Sequence, residues 1–269
     1  DETRSSISGT VVVDDDFDGV ADAGEDPIKD VEITLTGIDA TGQEVNLTTT
    51  TDVHGNYEFT GLLGGTYSIQ EGSTPGYIDG GETAGSEGGT EADDNISDIA
   101  LPNGTDAKDY DFGETPPASI AGTVVDDAGH GIGQTTLTLD GTDVYGQLVH
   151  ATTVTDGDGK YSFGDLAPGT YTVTETQPTG YGDGGETAGT SGGTVTDDKV
   201  ADIELGSGEA SKDNDFDETR SSIAGTVYHD LDGDGVQGPG EPGIAGVTVE
   251  LAGTDDLSNP VAASTVTDE

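Results

Sequence analysis

Apolar residues recur along this chain at every second position in short runs. Val31-Glu32-Ile33-Thr34-Leu35 alternates in this way, as does Val247-Thr248-Val249-Glu250-Leu251. Tyr57-Glu58-Phe59, Thr66-Tyr67-Ser68-Ile69, Tyr110-Asp111-Phe112, Tyr161-Ser162-Phe163 and Tyr171-Thr172-Val173 continue the pattern. Period two belongs to a strand with one buried face, because successive side chains point to opposite sides of a sheet. No helical period is kept beyond a turn, and Gly, Asn and Asp punctuate the apolar runs. The pattern predicts an all-β fold with about seven short strands per module, arranged as tandem antiparallel β-sandwiches. Gly64-Gly65 and Pro168-Gly169, each just ahead of Thr-Tyr, predict tight hairpin turns.

The alternation is itself repeated. The opening Asp1–Ile7, DETRSSI, recurs letter for letter as Asp217–Ile223, and the register then holds from Asp14/Asp230 to Thr51-Asp52/Thr267-Asp268. A shorter copy lies between, matching Gly9-Thr10-Val11 with Gly122-Thr123-Val124 and running from Leu35/Leu139 to Glu114/Glu218. It has lost nine residues between its first two strands. Three modules follow from this: 1–114, 115–218, and 219–269 as the N-terminal half of a third. Half a sandwich cannot bury its own face, so the expectation is an excerpt from a longer array, possessing no leader or sorting tail of its own.

Composition narrows the function classes. The 269 residues hold 55 Asp+Glu against 7 Lys+Arg, a formal net charge of −48, with 45 Gly and no Cys, Met or Trp. Nucleic acid is excluded as a partner, because phosphate binding depends on Lys and Arg to release counterions. Without Cys there is no disulfide framework, thiolate zinc site or cysteine nucleophile. No apolar run is long enough for a membrane-spanning helix, so no membrane insertion is expected in this segment. High charge with low hydrophobicity ordinarily points to disorder, but the repeat and the ordered placement of the acids argue for folded modules.

The placement is clearest in DDDFDGVADAGE. With Asp14 as position 1, Asp16 stands at 3, Asp18 at 5, Gly19 at 6, Val20 at 7, Asp22 at 9 and Glu25 at 12. This is the oxygen-ligand spacing of a calcium loop. Ca²⁺ takes six to eight hard oxygens, and carboxylates on alternate residues of a curled loop turn inward together. Val20 would offer its carbonyl, and Glu25 both carboxylate oxygens. The third copy repeats the design with Asp230, Asp232, Asp234, Gly235, Val236 and Glu241, and carries Gly238 at position 9. The nine-residue deletion removes the loop from the middle copy, leaving Asp126-Asp127 and Gly131. A strand rather than a helix follows each loop, so the loop should staple the fold instead of acting as a helix-pair switch. The alternative is an acidic, solvated turn, although two loops share the register.

A second acidic cluster also recurs. Asp79-Gly-Gly-Glu82 and Asp183-Gly-Gly-Glu186 follow Gly-Tyr, and Asp93-Asp94 and Asp197-Asp198 come later in the same register. Either a further metal site or an Asx-rich turn network accounts for it. Tyr77 and Tyr181 border this cluster, as side chains packed over a turn or as ligand contacts.

These residues carry a resemblance. TDVHGNYEFTGLLGGTYSIQE from Thr51 and TDGDGKYSFGDLAPGTYTVTE from Thr155 resemble the core of Cna B-type domains. With the acidic loop, the Gly-Tyr-x-Asp-Gly-Gly-Glu-Thr-Ala-Gly stretch and the closing Tyr-Asp-Phe-Gly-Glu, the chain is similar to SdrD B-like repeats over nearly its whole length. The resemblance implies an Ig-like or prealbumin-like sandwich, secreted and non-catalytic, stacked into a stalk whose stiffness depends on Ca²⁺. It implies Asp14, Asp16, Asp18, Val20, Asp22 and Glu25 as ligands, with counterparts in the third copy. Many Cna B-type relatives also carry a Lys–Asn isopeptide bond assisted by a Glu. Glu71 and Glu175 occupy that Glu position, but Ser5–Val13, Ser119–Val125 and Ser221–Tyr228 contain no Lys, so no such bond is expected.

Catalysis has little support. His54, His130, His150 and His229 fall in turns or at strand ends, and no HExxH, GxSxG or phosphate-loop motif occurs. An active carboxylate generally needs an apolar pocket to raise its pKa, and this chain has few residues to build one. Asn46, Asn95 and Asn103 each begin an N-glycosylation sequon. The expected function is therefore a calcium-binding structural segment of an extracellular, cell-surface stalk, adhesin or filament, with adjacent repeats of the chain, and other copies in a filament, as partners. The alternatives are an adhesive module recognising glycan or protein, or a filament subunit polymerising by strand exchange.

Overall fold

A computed structural model of the protein describes residues 3–254 and 260–268, and all of its regular structure is β. The first module forms β1 (Ser5–Val13), β2 (Glu32–Asp39), β3 (Glu44–Thr50), β4 (Asn56–Leu62) and β5 (Gly65–Glu71). It continues with β6 (Ile78–Thr83), β7 (Thr90–Ala92), β8 (Asn95–Leu101), β9 (Asp106–Ala107) and β10 (Asp111–Thr115). One sheet runs β4-β1-β10-β6, with β9 also on β1; the other runs β3-β2-β5-β8-β7. Alternation decides what each sheet turns inward. Ile7, Val11, Tyr57, Phe59 and Phe112 face Ile33, Leu35, Tyr67, Ile69, Ile96 and Ile99 across one buried core.

The second module repeats this with β11 (Ala118–Asp126), β12 (Thr136–Asp143), β13 (Leu148–Val154), β14 (Lys160–Leu166) and β15 (Gly169–Glu175). Then follow β16 (Gly182–Thr187), β17 (Thr194–Thr196), β18 (Lys199–Leu205), β19 (Ala210–Ser211) and β20 (Asp215–Thr219). Its core is separate, built on Ile120, Val124, Leu137, Leu139, Tyr171, Val173 and Phe216.

Each module has more strands than alternation predicts. β7 and β9 are too short to leave a period, and β6 reads IDGGET, with a single apolar residue. The sandwich is antiparallel except along β1, which pairs in parallel with β9 at Ser6↔Asp106 and with β10 at Val11↔Phe112. β11 does the same with β19 and β20.

The expected hairpins at Gly64-Gly65 and Pro168-Gly169 do not form. β4 pairs with β1 and β5 with β2, so the turn between them carries the chain from one sheet to the other. Tyr57 and Phe59 must face Tyr67 and Ile69 across the core, and only strands in opposite sheets can do that. Gly64 donates its N–H to Asn103 Oδ1 at 2.7 Å, securing the crossing. Within β4 a register shift opposite Ser5–Ile7, next to Gly61 at φ +71°, lets Leu62 return to the core after Phe59.

Buried tyrosines close the polar accounts of the core. Tyr57 donates its hydroxyl to the Tyr110 carbonyl at 2.7 Å, and Tyr161 makes the matching bond to the Asn214 carbonyl at 2.6 Å. Tyr161→Phe strands that carbonyl without filling or emptying volume. It is expected to lower the stability of the second module by about 1–2 kcal/mol in urea unfolding. An unchanged midpoint would show that the bond contributes nothing.

Among the described residues, the third copy forms β21 (Thr248–Thr254) paired with β22 (Pro260–Val266), and a bridge between Tyr228 and Gly243. Val249 and Leu251 are 42% and 43% exposed, whereas their counterparts Ile33 and Leu35 are fully buried. The 269 residues hold no counterpart of β4–β10 for them to pack against. Among the described residues, no helix is long and apolar enough to cross a membrane.

Candidate metal centres

The Asp14–Glu25 loop joins the end of β1 to the approach of β2. Its main chain curls because its own carboxylates capture its own N–H groups. Asp14 accepts from Phe17 at 2.6 Å and Gly19 at 2.8 Å; Asp18 accepts from Val20 at 2.8 Å. Glu25 closes the ring, one oxygen accepting from Asp15 at 3.1 Å and the other from Asp22 at 2.8 Å. Gly19 has φ +72°, and a Cβ there would lie 2.9 Å from the Gly81 carbonyl carbon of β6. Position 6 thus needs glycine both for the turn and for the close approach of a second strand.

The curl gathers all five predicted carboxylates. Oxygens of Asp14, Asp16 and Glu25 lie within 4.8 Å of one another, as do those of Asp16, Asp18 and Asp22. Asp14 is fully buried and Glu25 half-buried, while Asp16, Asp18 and Asp22 are exposed. Local desolvation within the curled loop, exposed though the side chain is, then repulsion from Asp18, Asp14 and Asp22, raises the Asp16 carboxyl above its ordinary value. A hard dication is the chemistry that relieves such crowding.

The third copy builds the same ring from its own residues. Asp230 accepts from Gly233 at 2.6 Å and Gly235 at 3.0 Å, and Asp234 from Val236 at 2.7 Å. Asp232 accepts from Asp234 at 3.2 Å, and Glu241 from Leu231 at 2.7 Å and Gly238 at 2.8 Å. In the middle module a tight turn replaces the loop. Asp126 accepts from the main chain of Ala128 and His130, and Arg220 lies 3.2 Å from its other oxygen. A guanidinium there balances a buried carboxylate. The same Arg220 stacks over Tyr181 at 5.0 Å and donates to its hydroxyl at 2.6 Å, so that tyrosine has a partner within the protein.

The loop also meets the next module. Phe17 packs edge-on against Tyr145, ring centroids 6.3 Å apart, and the Tyr145 hydroxyl lies 2.8 Å from Thr115 Oγ1. Tyr145 sits in the β12–β13 turn, so the loop end of one module bears on the hairpin tip of the following one.

The second acidic cluster has a buried half that the run of adjacent acids does not reveal. Glu82 Oε1 accepts from the Asp94 N–H at 2.7 Å, and Glu186 Oε1 from Asp198 at 2.7 Å, holding Asp94 and Asp198 at φ +54° and +58°. Asp94 thereby comes together with Glu71 and Glu114, and Asp198 with Glu175 and Glu218. Asp183 and Glu186 also reach Asp198, Asp79 stands opposite Glu114 across β6–β10, and Asp93 and Asp197 remain exposed. Glu71 and Glu175 therefore face a glutamate of the opposite sheet. Burial, then Glu114, Asp94 and Asp79, raises the Glu71 carboxyl far above its ordinary range; burial, then Glu218, does the same to Glu175.

Motif spacing does not mark Glu71, Glu114, Glu175 and Glu218 as ligands. A signal is nonetheless present: Glu71 follows Tyr67 and Ile69, and Glu114 follows Phe112, each on the inward phase of its strand.

The histidines serve no common site. His54 and His130 lie in turns, and the exposed pair His150–Asp140 spans 2.7 Å. The His229 N–H donates to the Pro242 carbonyl. Of the sequon asparagines, Asn46 is exposed on β3, Asn95 half-buried at the start of β8, and Asn103 engaged with Gly64.

Comparison with known proteins adds relatives. The family model described as SdrD B-like domain matches residues 5–114, 121–219 and 221–269. Serine-aspartate repeat-containing protein F of Staphylococcus epidermidis is 33% identical over 281 residues, covering 99% of this chain and 16% of that protein. Serine-aspartate repeat-containing protein D of Staphylococcus aureus is 33% identical over 288 residues, covering 99% of this chain and 20% of its own length. The chain thus spans about a fifth or less of these curated relatives. Among solved structures, GBS52, the minor pilin of Streptococcus agalactiae, aligns over 83% of this chain and 98% of that one. Its identity is 12% and its TM-score 0.36.

Proposed function

This chain belongs to the SdrD B-like family, and on that premise we propose that it is a non-catalytic, calcium-binding segment of an extracellular cell-surface stalk or filament. The observation that carries the calcium reading is the ring of five carboxylates between Asp14 and Glu25, held by the loop's own N–H groups, a pattern of N–H bonds that recurs around the four acids of Asp230–Glu241.

In this reading Ca²⁺ neutralises the crowded acids, with Asp14, Asp16, Asp18, Asp22, Glu25 and the Val20 carbonyl as ligands. A cation bound only by the folded state stabilises it by about 4 kcal/mol when free ligand exceeds Kd by about a thousandfold. The loop ties β1 to β2 and bears through Phe17 on Tyr145, so order gained in the loop passes to the joint between modules. A row of such joints makes a stiffer rod. Two cations offset only a small part of a −48 charge. The remaining acids form a solvated skin that keeps neighbouring stalks apart.

Titration calorimetry of the metal-stripped chain tests the reading. Removing the loop ligands, with Asp16→Ala, Asp18→Ala, Asp232→Ala and Asp234→Ala together, is expected to lower the Ca²⁺ stoichiometry by two. Unchanged stoichiometry and affinity would overturn it. An array of glycans and matrix proteins probed at physiological Ca²⁺ separates a spacer, which binds nothing on it, from an adhesive module.

A further inference from the structure

We propose that Glu71, Asp94 and Glu114, and separately Glu175, Asp198 and Glu218, form an interior cage for one hard divalent cation in each complete module. The cage is distinct from the acidic loop, and the second module possesses it although its loop is deleted.

Glu71 is 3% exposed and Glu114 fully buried, and none of their four carboxylate oxygens accepts a hydrogen bond from a main-chain or cationic donor among the described residues; the two carboxyls lie against each other. Glu175 is 4% exposed and Glu218 1%, and Glu175 Oε1 and Asp198 Oδ1 are likewise unpartnered. Unpaired buried carboxylates are among the costliest arrangements a protein can hold, and ordinarily an Arg or Lys accompanies them. Here the charged groups acting on Glu71 are all acids: Glu114, Asp94 and Asp79. Those acting on Glu175 are Glu218, Asp198 and Glu186.

Geometry supplies the rest. One oxygen from each of the three residues lies within 4.8 Å of the other two, in both modules. Oxygens placed around a calcium ion at about 2.3–2.6 Å are separated by distances in that range. Glu71 arrives on β5 and Glu114 on β10, strands of opposite sheets, while Asp94 comes from the turn before β8. A cation there would pin the two sheets of the sandwich together at one end. The modules differ in one detail: Gln177 donates to Glu218 Oε2, leaving that carboxylate one oxygen fewer to offer.

The test uses the full chain, metal-stripped and titrated with CaCl₂ by calorimetry. In the chain carrying the four loop substitutions above, two Ca²⁺ equivalents are expected to remain. Adding Glu71→Gln, Glu114→Gln, Glu175→Gln and Glu218→Gln, which keep shape and remove charge, should abolish them. The same four Gln substitutions in the chain with intact loops should leave two. No residual binding in the loop variant, or residual binding that survives the Gln substitutions, overturns the cage without touching the loop reading. Should the fourfold variant fail to fold, Glu114→Gln alone is expected to lower the stoichiometry of the loop variant from two to one. An unchanged value of two would overturn the proposal equally.

Discussion

Stripped of divalent cations, the protein is expected to lose stability as pH rises from about 5 to about 8, opposite to the usual behaviour of an acidic domain with paired carboxylates. The cause is the interior acids. Glu114 and Glu218 are pushed up to about 7, chiefly by burial, and burial with neighbouring carboxylates raises Glu71, Glu175 and Asp79 as well. A carboxyl with a raised folded-state pKa is protonated in the folded state where the unfolded chain has already ionised. Its contribution is fully present below the unfolded value of about 4.3 and is lost as pH climbs through the folded one. A tenfold difference in proton affinity between folded and unfolded states corresponds to about 1.4 kcal/mol, so a loss on the order of 2–3 kcal/mol per module is expected. The lowered carboxyls, Asp39, Asp52, Asp126, Asp156, Glu209 and Glu241, change protonation below their ordinary values of 3.8 for Asp and 4.5 for Glu and leave this window clear. Urea unfolding in chelator at a series of pH values measures the slope. Glu71→Gln with Glu114→Gln should flatten it in the first module, and Ca²⁺ should flatten it in both. Stability that holds constant or rises over this range would refute the account.

Gly122→Ala is expected to destabilise the second module severely. A Cβ on Gly122 would lie 1.8 Å from the Asn214 carbonyl oxygen, and the same atom on Gly9 would lie 1.7 Å from that of Tyr110. These are main-chain atoms that cannot swing aside as a side chain can. The approach is tight because β11 pairs in parallel with β19 at Ser119 and with β20 at Val124, and the strand crossing between them passes over Gly122. Relief would require pulling β20 from β11, which also breaks the bond from Tyr161 to the Asn214 carbonyl. Overpacking in a close-packed core costs about 1–3 kcal/mol when side chains can yield, and more where only backbone is available. At least about 3 kcal/mol is therefore expected. Calorimetric melting should show one module's transition lost or displaced downward while the other stays. A melting profile matching the parent would show that β20 shifts freely.

Much of this molecule is readable from short stretches of chain. Alternation at Val31–Leu35 and Tyr57–Phe59 identifies the strands and their inward faces, because period two is local geometry. The Asp14–Glu25 loop is local in the same sense. Its ring of N–H bonds recurs at Asp230–Glu241, where the third copy has no sandwich beneath it, so those twelve-residue stretches carry their own instructions. Repetition of the sequence alone also separates the modules that carry the loop from the one that does not.

Tertiary structure decided the pairings. Period two states which side of a strand is buried and says nothing about which strand lies beside it. The turn at Gly64-Gly65 therefore reads as a hairpin, and only burial of Tyr57 and Phe59 against Tyr67 and Ile69 places β4 and β5 in opposite sheets. The same ambiguity hides β1 and β10 running parallel. It also hides the meeting of Glu71 and Glu114, which alternation turns inward but only the closing of two sheets brings together. The loop needed a dozen neighbouring residues to form; the interior carboxylates needed a whole module, because their partners are brought near by packing and not by the chain.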